Sequence, residues 1–231
     1  QFFDMIHNLR QIDDPIFAHS LNVAMIARML GKWLNFSEED LDTLTLAAAL
    51  HDVGKFLIPS DILNKKEKLT DNEFALIKQH PVLGYDLLKE LNIDYHVKQA
   101  ALSHHERCDG SGYPLGLKTN EIDDHAMIIS IADVYDAMTS ARKYRTPLCP
   151  FEVIAEFEKD GLSKYKPQYI LTFLEHIANA YQNNRILLND GRSANIILLN
   201  SNHLSSPMIQ LDDGTCLDLY REPNLYIKSV V

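Results

Sequence analysis

His51-Asp52, His80, His104-His105 and Asp133 place imidazoles and carboxylates in stretches that are otherwise apolar. His51-Asp52 closes the alanine-rich run LTLAAAL, where burying a charged pair without a partner costs free energy. A cation is the simplest partner. Adjacent residues on a helix diverge by about 100°, so both reach one cation only near a helix end, where Val53-Gly54 lets the backbone turn. His104-His105-Glu106 ends a second apolar run, His80 precedes Pro81 at a junction, and Asp133 interrupts MIISIADVYDAM. Neutral imidazole and carboxylate suit Fe, Mn or Zn, and two such cations a few ångströms apart hold a phosphodiester while activating a water. Asp136 lies three residues beyond Asp133 on the same helical face, where it can orient a ligand from behind. Each of these residues alone reads as a helix-terminal charge or a core histidine; together they favour a metal centre.

Residues so far apart need elements that converge. Helices are expected near 15–34, 38–50, 71–79, 82–91, 94–105, 125–140, 150–159 and 167–183. Ser37 with Asp40, and Thr70 with Glu73, have the spacing of N-terminal caps. Met127, Ile131, Val134 and Met138 recur at helical spacing and should face a core. After Arg185 the pattern changes to short β-type runs. Two of them flank Asn189-Asp190-Gly191, a second turn falls at Asp213-Gly214, and further runs cover Met208 to Leu211, Cys216 to Tyr220 and Leu225 to Val230. The expected class is mainly α, a helical bundle domain over residues 1–184 followed by a small antiparallel β module over 185–231.

With 231 residues, 46% of them hydrophobic, the chain can bury a core without disulfides. Cys108, Cys149 and Cys216 are odd in number, far apart and outside any CxxC pair, which argues against a disulfide framework and a thiolate metal site and for a reducing cytosol. A formal net charge of -10 disfavours sequence-independent binding to DNA or RNA. An anionic substrate must therefore be drawn in by local cations or metal. No apolar run is long enough to span a bilayer and no secretory signal is visible, so the expected location is cytoplasmic. Because the chain begins at Gln1, an upstream sensor or membrane segment in a longer parent is left open.

HDVGK, HHERCDGSGYP and IADVYDAMTSARKYR, in this order and spacing, resemble the HD-GYP domain, a subgroup of the HD metal-phosphohydrolases, over about residues 15 to 160. The resemblance implies cleavage of cyclic di-GMP to linear pGpG, and in some members on to GMP, at an iron- or manganese-type multinuclear centre. A few members prefer a cyclic GMP-AMP dinucleotide. Others contact diguanylate cyclase domains, so a catalytically weak receptor or adaptor is the non-enzymatic alternative.

Carried over position by position, the implied metal ligands are His19, His51, Asp52, His80, His104, His105 and Asp133, with Asp52 bridging two divalent ions. His19 by itself is a core-edge histidine and enters only through the family pattern. Lys55 is implied as a phosphate contact or a helper for the leaving oxygen; with Asp52 it forms the implied catalytic pair. The loop Asp109-Gly110-Ser111-Gly112-Tyr113-Pro114 offers Gly112 for close backbone approach and Tyr113 for stacking on guanine or bonding phosphate. Arg142 and Arg145 would supply bidentate phosphate recognition. In some members a Glu one turn before the first histidine helps hold a third metal; here Pro15 stands there and brings no donor atom, with Asp13 and Asp14 nearby as caps. His7, His96, His125, His176 and His203 have no motif context and read as surface or structural, and Cys108 as a bystander. The tail is left for interaction or a homodimer contact.

Overall fold

The Ser37 hydroxyl accepts the Asp40 N–H at 3.1 Å, and Thr70 accepts that of Glu73 while the Glu73 carboxylate takes the Thr70 N–H at 2.8 Å. Two helices therefore begin where the capping pairs stand. The computed structural model describes residues 15–140 and 146–231. Its helices are α1 Pro15–Trp33, α2 Glu38–Leu50, α3 Ser60–Leu63, α4 Asp71–Ile77, α5 His80–Leu88, α6 Tyr95–Ser103, α7 Asp124–Thr139, α8 Pro150–Lys164 and α9 Pro167–Ala180, with a 3-10 turn at Val53–Leu57. The strands are β1 Arg185–Leu188, β2 Ser193–Leu198, β3 Met208–Leu211, β4 Cys216–Asp218 and β5 Ile227–Val230. The fold is mainly α with one five-stranded antiparallel sheet in the order β4-β3-β2-β1-β5. Among the described residues no helix is long and apolar enough to cross a membrane.

The described residues form two compact units, one of 15–136 with 163–166 and the other of 137–162 with 167–231. In the first, α1 packs on α2, α6 packs on α2 and α5, and α5 packs on the 53–57 turn. The core there is aliphatic and small: Ala27, Leu30, Leu44, Ala47, Ala48, Ala100, Ala101, Ile128, Ile129 and Ala132 are all fully buried. Alanine at these positions lets helix backbones approach closely, so the helix ends that carry the polar residues converge. Gly54 belongs to the same device. A Cβ there would lie 2.0 Å from the His80 carbonyl oxygen and 2.5 Å from the Gly84 nitrogen, so only glycine lets the turn seat on α5. Its backbone needs close approach here; the turn itself is an ordinary 3-10 helix.

In the second unit, α8 and α9 contribute Phe151, Ile154, Phe157, Ile170, Phe173 and Ile177 to the core, with Phe157 edge-on to Phe173. The sheet adds Ile186, Leu188, Ala194, Ile196 and Ile209. Ser205 donates its hydroxyl to Glu158 of α8, and Asn183 and Asn184 pair with the backbone of Ile196 in β2. The strands begin at Arg185 as the alternation implies, and the sheet falls in one compact unit with α8 and α9, with Phe151 and Ala155 of α8 lining a hollow beside Ile227 of β5.

Candidate metal centre

Three histidines sit at or beside helix ends, and each leans its Nδ1 on a nearby main-chain carbonyl. His51 Nδ1 is 2.7 Å from Ala48 O, His80 Nδ1 2.7 Å from Ile77 O, and His104 Nδ1 2.9 Å from Ala100 O. A carbonyl only accepts, so the proton resides on Nδ1 and Nε2 presents a lone pair. Carbonyls in the last turn of a helix are open to a second donor, and the Ala100 oxygen takes both the His104 N–H and its ring. All three rings are buried.

The Nε2 atoms converge on Asp52, itself 2% exposed. Its Oδ1 lies 3.2 Å from His80 Nε2 and 3.7 Å from His104 Nε2, while its Oδ2 lies 3.3 Å from His51 Nε2 and 3.7 Å from His19 Nε2. One carboxylate thus faces a different cluster with each oxygen. His105 joins the first cluster, with Asp52, His80 and His104; His19, His51 and Asp133 form the second. His19 Nε2 is 3.1 Å from Asp133 Oδ1, and its Nδ1 is 2.7 Å from Asp136 Oδ2, whose Oδ1 also accepts from Asn22. Asp136 thereby holds His19 from behind.

Two observations fit cations to these clusters. His51 Nε2 and Asp52 Oδ1 are buried without a hydrogen-bond partner, an arrangement that costs about 1–3 kcal/mol per group. His80 Nε2 and His104 Nε2 stand 3.2 Å apart although both present lone pairs, which a positive charge reconciles. The set of imidazoles and carboxylates, without thiolates, suits a divalent metal. Electrostatics agree. Burial, together with His51 and His80, pulls His104 down to about 4, and burial followed by His104 pushes His105 well below its ordinary value, so both rings are neutral and able to ligate. Burial works to raise Asp52 and Asp133, but the facing histidines, and Lys55 beside Asp52, hold both carboxylates well below the usual range. Burial lowers His19, yet its hydrogen bonds to Asp133 and Asp136 lift it to about 9.

The remaining expected site residues divide. Lys55 sets its ammonium 2.5 Å from Asp52 Oδ2 and so faces the centre through that carboxylate. Tyr113 stacks on His105 with ring centroids 4.7 Å apart, which occupies one face of the phenol ring. Burial, then Asp133 and Asp52, raise the phenol, so the hydroxyl stays a donor. Gly112 is pressed on the main chain of residues 105–107, where a Cβ would come within 2.4 Å of the Glu106 Cα. Arg142 and Arg145 lie outside the described residues, as do Asp13 and Asp14.

Three further residues are given no role at the site by the sequence, although Glu106 stands inside HHERCDGSGYP. Buried Glu106 accepts the N–H groups of Leu115, Gly116 and Leu117 at 2.6, 3.1 and 3.0 Å, which ties the end of the glycine-rich loop to the residue that follows His104-His105. Lys78, two residues before His80, holds its ammonium 5.2 Å from the Phe74 ring centroid and 5.9 Å from that of Tyr113, a cation beside the centre. Asn22, one turn past His19, completes the grip on Asp136.

These features define a buried centre of histidines and carboxylates in a helical bundle. The chain belongs to the HD domain family, whose family model matches residues 5–169. A cyclic di-GMP phosphodiesterase of Thermotoga maritima is 38% identical over 68% of this chain and 43% of its own length. A 3'3'-cGAMP-specific phosphodiesterase of Vibrio cholerae is 34% identical over 69% of this chain and 31% of its own length. This chain thus spans less than half the length of either relative. Among solved structures, an HDG"Y"P protein from Bdellovibrio bacteriovorus superposes with a TM-score of 0.61 at 24% identity, over 74% of this chain and 55% of that one, a likeness of fold.

Proposed function

We propose that this chain is a metal-dependent phosphodiesterase that opens cyclic di-GMP to pGpG, with a slower second cut to GMP, in the cytoplasm. The observation that carries this reading is Asp52, whose two oxygens each face a separate buried histidine cluster. The ligands are His19, His51, Asp52, His80, His104, His105 and Asp133, holding two divalent ions, iron or manganese. Such ions supply Lewis acidity toward phosphoryl oxygens and make a water acidic enough to react near neutral pH. Lys55 steadies the bridging carboxylate. Tyr113 and Lys78 present a hydroxyl, a ring and a cation on the side from which a dinucleotide enters, and Arg142 with Arg145 adds phosphate contacts. The Thermotoga maritima relative supports cyclic di-GMP as substrate.

Turnover of cyclic di-GMP by the purified, metal-loaded chain tests the proposal. Asp52→Ala should abolish hydrolysis and strip metal while the helical circular dichroism persists; full activity in that variant would sink the metal-centre reading. Tight binding of cyclic di-GMP by the metal-loaded protein without turnover would establish the receptor or adaptor alternative. The Vibrio cholerae relative favours one second substrate, 3'3'-cGAMP, and competition between the two dinucleotides decides which is preferred. The count of two rests on Pro15, which opens α1 in place of a carboxylate. Anomalous scattering at the metal edge that finds three ions at the centre would refute it.

A further inference from the structure

Away from the centre, His96 of α6 and His125 of α7 stack with ring centroids 4.3 Å apart and planes at 23°. Between the helices, Asp123 places Oδ2 at 2.6 Å from His96 Nδ1 and Oδ1 at 3.7 Å from His125 Nδ1. The same carboxylate caps α7 by accepting the N–H of His125 at 2.9 Å. His125 is 5% exposed, and neither buried ring nitrogen makes a well-formed hydrogen bond, the Asp40 main chain being a nearby acceptor whose geometry falls short. The Phe36 ring packs edge-on against it and leaves the imidazole little room to turn. A buried imidazole with two poorly met nitrogens is costly unless something else meets them.

We propose that His96, Asp123 and His125 form a second, separate binding site for one divalent transition ion of the zinc type. Two imidazoles and a carboxylate are a common three-residue set for such an ion, with water completing the shell. Their donor atoms already lie within 4.8 Å of one another. His125 is held neutral mainly by burial, so its lone pair is available. The ion takes the place of the Nδ1 proton that His96 donates to Asp123. Because the stacked rings aim their in-plane lone pairs nearly parallel, one ring must tilt, and His96, with 44% of its side chain exposed, is the one free to do so.

The location gives the site a purpose. His96 stands eight residues before His104 on α6, and His125 eight before Asp133 on α7, a run of about 12 Å along each helix at 1.5 Å per residue. An ion here braces the starting ends of the two helices whose later turns deliver ligands to the centre. It also lies far enough away to be counted apart from the central ions.

The test uses the whole chain equilibrated with Zn2+, compared with His96→Ala and with Asp123→Asn, which keeps a side-chain oxygen to cap α7. The expected result is one zinc fewer per chain in each variant by elemental analysis, at least about tenfold weaker binding of that ion, and anomalous density against His125 in the unaltered protein alone. Thermal melts without zinc establish that the variants are folded. Equal zinc content in all three proteins, or no zinc density beside His125, would overturn the site.

Discussion

A histidine is readied as a proposed ligand here by the partner of its other nitrogen. His51, His80 and His104 spend Nδ1 on carbonyls three or four residues back and point Nε2 inward. That choice is local to each helix end, which is where the sequence places His51-Asp52 and His104-His105. His19 differs, because its partners Asp133 and Asp136 are more than 110 residues away and raise it to about 9. A raised value means the folded protein keeps the His19 proton through neutral pH, and a cation must displace it. Metal affinity should therefore climb about tenfold per pH unit from pH 7 and level off above about pH 9. Calorimetric titrations with Mn2+ across that window check the sign; affinity that does not change with pH would remove His19 from the ligand set. In Asp136→Asn the climb should flatten and the affinity at high pH fall by about tenfold or more, as the ring loses its orienting carboxylate.

At the scale of elements, two backbone clamps hold the segments that carry the proposed ligands, and both are exposed to single substitutions. Gly54 sits on the His80 carbonyl, so Gly54→Ala must lift the 53–57 turn away from α5. A loss of about 3 kcal/mol in unfolding free energy is expected, together with reduced metal content, because His51-Asp52 and His80 move apart. Denaturant melts beside metal analysis would detect both, and an unchanged midpoint would show that the turn has room. Glu106→Ala strips the acceptor from three loop N–H groups and removes a buried carboxylate from its partners. About 3 kcal/mol is again expected, but with the ions retained and KM raised more than kcat is lowered, since Tyr113 belongs to the same loop. Loss of metal in that variant would mean that Glu106 steadies His104-His105 directly. The sequence marked the glycines and the acid as notable without saying which backbone each one meets.

At the scale of the molecule, all seven expected ligands lie in the compact unit of residues 15–136 with 163–166, whereas the sheet shares its unit with α8 and α9. A chain ending at residue 184 keeps every expected ligand but uncovers Phe151 and Ala155 of α8, which line one hollow with Ile227 of β5. Truncation should therefore lower the melting temperature and promote aggregation, while metal bound per folded molecule and turnover per folded molecule stay near the full-length values. A selective collapse of turnover in a truncated protein with normal helicity would show that the tail serves the chemistry.

Periodicity and local chemistry determined much of this protein from the sequence. Capping pairs marked the starts of α2 and α4, Asp-Gly turns and alternation marked the β-hairpins, and charged residues inside apolar helices singled out the centre, because each of these signals acts within a few residues. Tertiary structure alone decided which Asp52 oxygen meets which histidines, that Asp136 and Asn22 stand behind His19, that Glu106 anchors the loop, and that His96 and His125 meet over Asp123. Each depends on side chains from separate helices arriving at one point. Side-chain spacing along a chain carries no record of that arrival, which is set by how closely small residues such as Ala100 and Gly54 let the helices pack.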